Sequence, residues 1–274
     1  MLTTNPFAEL SGLIPPIAMQ IYVILMAILV AGGTLLDTLH KKSAQYFFEN
    51  SEKQKKMATR EVSGGEKISI AVQTVAVDVL TSAEFCNQKR RVAHLLTMYG
   101  FILFVVSTAV MIFGYAGSAK AAAWPLLWHL GALMVCVGGY WFWFVIRVDV
   151  AAEGNPWYRV VRADLFILAL LATTTFALLW SVFGGIFLFA LFIAAATVLF
   201  GTVLWSKFAH MFFKPAAAFQ KRTIMADGSR ENLPADYDLT DPAVQAKYPD
   251  IPEYMGKTPP YMGLGIKREA PHHY

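Results

Sequence analysis

Charge is the scarcest ingredient of this sequence. Asp, Glu, Lys and Arg make up 15% of its 274 residues, 56% are hydrophobic, and mean hydropathy is +0.47. Soluble domains carry charge on about a quarter of their residues, so composition places the chain among multi-span membrane proteins. Cysteine is nearly absent. Cys86 and Cys136 have no metal-site spacing, and Cys136 falls inside an apolar run, which excludes a disulfide framework and a C-x-x-C iron–sulfur site. There is no glycine-rich nucleotide loop and no nucleophile constellation, so substrate chemistry is not expected in this chain. No internal repeat is evident, which counts against transporters built from inverted repeats. No Lys or Arg precedes the first apolar run, which is longer than a signal-peptide core and is read as a retained helix.

What is present is a set of five long apolar runs, at 14–39, 92–117, 122–148, 163–183 and 186–208. Each is long enough to cross a bilayer, which takes about 20 residues. The last two are joined by little more than Gly184-Gly185. The cations set the orientation. Ten Lys/Arg lie between His40 and Arg91, three between Arg147 and Arg162, nine from Lys207 onward, and the other side has only Lys120. By the positive-inside rule the N-terminus is outside and the C-terminus cytoplasmic. The expected fold is an all-α membrane protein with five transmembrane helices and an extended cytoplasmic tail. Its parts are 1–39 (N-terminus and first helix), 40–91 (cytoplasmic loop with an interfacial helix), 92–212 (four-helix membrane bundle) and 213–274 (tail).

In the loop, Ile68, Val72, Val75, Val79 and Leu80 recur at helical spacing. Such a helix lies at the membrane surface or packs beneath its neighbours, and periodicity does not choose between them. The tail holds eight of the thirteen prolines, with Tyr237, Tyr248, Tyr254 and Tyr261 spread among them. It cannot build its own core. It reads either as a disordered tail or as an extended arm laid over a partner, with tyrosines supplying contact area.

Lys89-Arg90-Arg91-Val92-Ala93-His94 stands at the mouth of the second run, and a histidine just inside such a mouth should have a partner or a job. His210 follows the end of the fifth run, which is antiparallel to the second, so His94 and His210 lie at about the same depth. Two imidazoles from two helices at matched depth are what a six-coordinate haem b requires. Lys89, Arg90, Arg91, Lys207 and Lys214 flank that level and are placed to neutralise propionates. Interfacial histidines without a metal are the other reading. His129 lies on the opposite side, roughly 20 Å away at 1.5 Å per residue, and reads as a histidine bonded to a neighbouring helix or as a contact for quinone or a lone haem. His40, His272 and His273 read as solvated or headgroup-facing.

The blocks Lys89-Arg90-Arg91-x-x-His94 leading into Tyr99-Gly100-Phe101, and Lys207-Phe208-Ala209-His210-Met211-Phe212-x-Lys214-Pro215, resemble two blocks of a known group. These are the membrane subunits related to the nitrate reductase gamma chain, including those of quinone-interacting membrane oxidoreductases. Asp78, Phe85 and Cys86 also fit the block before the second helix. Within the group the chain is most similar to the membrane subunits associated with adenylylsulfate reductase. The resemblance spans roughly 78–222 and is specific in the two blocks. It implies that His94 and His210 are axial ligands of the haem nearer the cytoplasm. A second haem of the group uses histidines at depths that fall near Phe104 and Phe192, and neither helix has another histidine. One haem at most is therefore expected.

The resulting expectation is a non-catalytic membrane anchor and electron-transfer subunit in the bacterial cytoplasmic membrane. It would link a soluble iron–sulfur flavoprotein, adenylylsulfate reductase, to quinone through one haem b on His94 and His210. Arg90, Arg91 and Lys207 would contact propionates or quinone, and the loop and tail would dock the partner. A haemless scaffold is the alternative. A small transporter would need more buried ionisable residues than Asp37, His129 and Asp164.

Overall fold

A computed structural model describes residues 2–40, 43–83, 85, 87–149, 153–230 and 241–247. The described residues are helical, with one isolated bridge between Thr4 and Lys120. In chain order the helices are α1 (Pro6–Glu9), α2 (Pro16–His40), α3 (Ser43–Met57), α4 (Gly64–Gln73), α5 (Gln88–Gly114), α6 (Trp124–Trp141), α7 (Leu165–Phe183), α8 (Ile186–Gly201), α9 (His210–Ala226) and α10 (Pro242–Lys247). α4 runs on as a π-helical turn, Thr74–Val79, and α6 as another, Phe142–Ile146. Four segments are long and apolar enough to cross a membrane: Pro16–His40, Gln88–Gly114, Trp124–Ile146 and Arg162–Phe183. α8 is a shorter apolar helix of 16 residues.

The expected fifth helix over 186–208 ends early. Thr202 Oγ1 turns back to donate to the Val198 carbonyl at 2.6 Å, and one 3-10 turn, Val203–Trp205, follows. Ser206 is extended, and its hydroxyl accepts from Phe208 N at 3.2 Å. Local side-chain hydrogen bonds of this kind compete with helix propagation. His210 therefore opens a new helix, α9. The extended tail expected from residue 213 is also revised, because 213–226 belong to α9. Tyr237, Tyr248, Tyr254, Tyr261, His272, His273, Cys86 and Lys41-Lys42 lie outside the described residues.

α5 and α6 make the closest helix pair. A Cβ on Gly131 would stand 2.6 Å from Phe104 N and 2.7 Å from Gly100 O. One on Gly138 would stand 2.6 Å from Ala93 O and 2.7 Å from Thr97 Oγ1. Ala93, Gly100 and Ser107 recur every seven residues on α5 and are buried, opposite Gly131 and Gly138, also seven apart. Apolar surface gives helices no reason to associate inside lipid, so close backbone approach over small residues supplies the attraction through dispersion.

α6 and α7 are held in register by side-chain pairs. His129 Nε2 accepts from Ser181 Oγ at 2.5 Å, Cys136 Sγ meets Thr174 Oγ1 at 3.4 Å, and Tyr140 Oη meets Thr175 Oγ1 at 2.8 Å. Arg147 pairs with Asp164 at 2.7 Å where the seam ends, and its guanidinium lies 4.0 Å over the Trp143 ring. α7 turns into α8 through Gly184 and Gly185 at φ +68° and +87°, a left-handed pair that side chains resist. α2 leans on α8 and the 203–205 turn and exposes Ile17, Ile21, Ile24 and Ile28 along its length.

The two ends of the bundle differ. At one end the N-terminal segment folds back as a plug. Asn5 is fully buried and donates to the Tyr115 and Ser118 carbonyls, and Phe7 packs edge-on against Trp128 at 5.9 Å. The loops that carry most cations, 43–83, 147–164 and 202–230, gather at the other, basic end.

The α5–α6 contact generates a test. Gly131→Ala should lower the thermal unfolding midpoint in detergent, because overpacking of about 1–3 kcal/mol outweighs any gain in helix propensity. Gly32→Ala is the control, since nothing lies within 4 Å of a Cβ there. No loss is expected from it.

Candidate functional site

The sequence-predicted residues meet at the basic end. Asn87 caps α5 by accepting from Arg90 N at 3.2 Å, which starts the helix two turns ahead of His94. Before that cap, residues 80–82 are clasped along α5 by three side chains of the helix. Tyr99 Oη donates to the Leu80 carbonyl at 2.6 Å and Arg91 Nε to the Thr81 carbonyl at 2.7 Å. His94 Nδ1 shares a 3.1 Å hydrogen bond with Ser82 Oγ. Ser82 adopts φ +50° to make this turn, and its residue is buried.

His94 is half-buried against the Phe85 ring, with centroids 4.9 Å apart. The same ring carries Arg90 Cζ and Lys214 Nζ, each 5.7 Å from its centroid, in cation–π geometry. His210, at the first position of α9, donates from Nδ1 to the Lys207 carbonyl and meets the edge of Phe166 at 5.8 Å. Lys214 links the two neighbourhoods, lying over the Phe85 ring that packs on His94 and one turn along α9 from His210. Burial pushes the His210 imidazole below its ordinary value, more than the Lys207 carbonyl raises it. It is neutral at pH 7, and its Nε2 keeps a lone pair.

The donor chemistry fits a bis-imidazole b haem. Each imidazole has Nδ1 held by a protein oxygen, the outer support that fixes tautomer and ring orientation in metal-bound histidines. Among the described residues no group of three or more His, Cys, Asp or Glu could hold a metal ion. The deeper level does not fit. Phe104 and Phe192 touch edge to face at 6.3 Å, Phe104 stacks on Trp128 at 5.2 Å and Trp180 on Phe192 at 6.0 Å. Aromatic core fills the depth at which the second pair of ligands would stand.

The cations expected beside the haem divide by role. Arg90 pairs with Glu153 at 2.7 Å while lying over Phe85. Arg91 is committed to the Thr81 carbonyl. Lys207 contributes its carbonyl to His210. Lys214, one turn along α9 from His210, lies over the Phe85 ring at the same 5.7 Å as Arg90. Ser82 carries no sequence signal, because its role depends on a turn that only the fold makes. His40 is exposed at the end of α2, and His129 sits at the far end, its Nδ1 donating to the Pro125 carbonyl at 2.6 Å. Ser181, its partner, lines a small cleft of about 140 Å³ together with Glu9 and Trp180.

Around this site the loop and α9 form one layer. Asp78 and Arg222 make a bidentate pair at 2.6 and 2.9 Å. The Asp227 carboxylate accepts from Gln54 Nε2 at 2.5 Å and from Ser229 N at 2.9 Å, and its carbonyl accepts from Thr59 N at 2.9 Å. α3, α4 and α9 are thereby tied together over the basic end. The chain matches no protein-family model, no curated protein and no solved structure.

The Asp78–Arg222 pair sets a pH dependence. Hydrogen bonds from Arg222 hold the Asp78 carboxyl below its ordinary value. Its contribution, on the order of 1 kcal/mol for a partly exposed pair, is complete above the ordinary aspartate value of about 3.9. It is lost as pH falls through the lower native value. Limited proteolysis of the 43–83 loop should therefore accelerate at acid pH in the wild type. In Asp78→Asn it should already be fast at pH 7 and change less on acidification.

Proposed function

We propose that the protein is a membrane anchor and electron-transfer subunit of an oxidoreductase complex in the bacterial cytoplasmic membrane. The observation that carries this reading is the convergence of His94 and His210 at the basic end, each with Nδ1 already engaged and with Arg90 and Lys214 beside them. Bound between the two imidazoles, a b haem would supply a one-electron relay. The residues of the chain have separate tasks. Ser82 and the Lys207 carbonyl orient the two rings, Phe85 screens His94 from water, and Arg90 and Lys214 offset propionate charge. α8 with the turn after it completes a fifth crossing, which puts both termini on opposite sides and the basic end in the cytoplasm.

The partner in this reading is a soluble iron–sulfur flavoprotein, with adenylylsulfate reductase as the candidate that the two sequence blocks support, and quinone is the membrane-side redox substrate. The tied layer of α3, α4 and α9 offers the partner a preformed platform, and the chain beyond residue 230 offers an arm. Depth limits the relay. Phe104 and Phe192 leave one haem level near the cytoplasm, so electrons would exchange with quinone at that side and not across the bilayer.

A reduced-minus-oxidised absorption spectrum of the purified chain tests the haem. A b-type band is expected, lost in His94→Ala and in His210→Ala and kept in His129→Ala. Absence of the band in the wild type would sink the haem assignment.

A haemless scaffold is the second reading, favoured by the Phe85 ring packed directly on His94. Co-purification addresses the shared part of both readings. Truncation should follow Arg230, because Arg222 and Asp227 belong to the folded layer. Release of the soluble partner by that truncation is expected, and its retention would refute the arm.

A further inference from the structure

Helix α4 and its π-helical extension are apolar on two sides. Ile70, Thr74 and Asp78 recur every four residues and face α9, where Asp78 meets Arg222. At 100° per residue, Ile68 and Val72 fall on the side opposite that contact, and Val75 continues their side into the π-helical turn. Ile68, Val72 and Val75 are 68%, 62% and 52% exposed, and Val77 and Leu80 are exposed as well. None of the described residues buries this stripe.

The height of the stripe identifies what does. Tyr99 stands about 16 Å along α5 from Gln88 at 1.5 Å per residue. Its hydroxyl reaches the Leu80 carbonyl. Helical side chains lean back toward the helix start by roughly one turn, so Leu80 is held about one turn inside the apolar run that begins at Val92. The next two residues stay near the mouth, Thr81 at Arg91 and Ser82 at His94. The apolar end of the 64–80 segment is thus pinned at a depth that belongs to the bilayer. It also abuts a surface that lipid must already cover. Val92, Tyr99, Ile102 and Val106 share one face of α5 and are exposed within an apolar span. Leu80 sits on that face.

We infer that the 64–80 segment is immersed in the lipid leaflet at the basic end, its Ile68, Val72, Val75 and Leu80 side reaching the acyl boundary while its Ile70, Thr74 and Asp78 side carries α9. The partner is a lipid surface. The segment joins bilayer and cytoplasmic layer as a strut, because one helix touches both. Ser82 and Phe85, which support His94, hang from the end of that strut. The inference is independent of the haem reading and survives its failure.

The test uses the full chain in phospholipid vesicles, with Cys86→Ser and Cys136→Ser removing the native thiols. An environment-sensitive fluorophore is attached at Val72→Cys or Val75→Cys. Ile102→Cys serves as the membrane reference and Lys55→Cys as the aqueous one. The expected result is blue-shifted emission at 72 and 75, quenching by lipid with a doxyl group near the carbonyl that approaches that at 102, and loss of the iodide quenching seen at 55. Iodide quenching at 72 and 75 equal to that at 55 would overturn the inference. So would shielding from both quenchers, which would mean that a second copy or another protein covers the stripe.

Discussion

The close approach of α5 and α6 is the constraint on which the rest depends. At Gly138 the neighbouring backbone is Ala93 O, one residue before His94. At Gly131 it is Gly100 O and Phe104 N, at the depth of the aromatic core. The seam therefore sets the height of His94 and of Phe104 at once. It also presents the outer face of α5, Arg91 through Tyr99, to residues 80–82 and Phe85. A side chain at either glycine would push α5 away from α6 and move every contact that its first three turns make.

From that seam the molecule develops differently toward its two ends. Away from the cations, packing is aromatic: Phe7, Phe104, Trp128, Trp180, Phe189 and Phe192 form one cluster, plugged by the N-terminal segment. Toward the cations, packing passes over to hydrogen bonds and ion pairs: Arg147–Asp164, Arg90–Glu153, Asp78–Arg222 and the contacts of Asp227. Hydrocarbon leaves polar groups no solvent partner, and within the spans His129 and Ser181 satisfy one another. At the basic end water and headgroups permit charge, and charge can serve there to hold the loop and α9 in place.

Much of this was legible in the residues. The apolar runs over 92–117, 122–148 and 163–183 correspond to α5, α6 with its π turn, and α7, because hydrophobic length is a strong signal. The helix in the first loop was legible from Ile68, Val72, Val75 and Val79, although periodicity left its surroundings open. His94 near the start of α5 and His210 at the start of α9 each meet their own partners, Ser82 and Phe85 for one and the Lys207 carbonyl and Phe166 for the other. The ending of α8 was not legible. The apolar run continues unbroken to Phe208, and what stops the helix is Thr202 and Ser206 bonding to nearby backbone. The folding of 213–226 was hidden for a similar reason: α9 has no strong pattern of its own and acquires its partners, Asp78 and Gln54, from a loop more than a hundred residues earlier.

Composition and spacing were enough to read an all-helical chain with membrane-spanning character and to locate the four helices long and apolar enough to cross a membrane. Those properties follow from composition and spacing, which act locally. Only the tertiary structure decided that Ser82 and the Lys207 carbonyl hold the imidazoles, that Phe85 lies on His94, that phenylalanines fill the deeper level, and that the first loop and α9 form one layer. Each of these depends on groups far apart in the chain meeting at a particular height, and that height is set by how closely the backbones of α5 and α6 can approach.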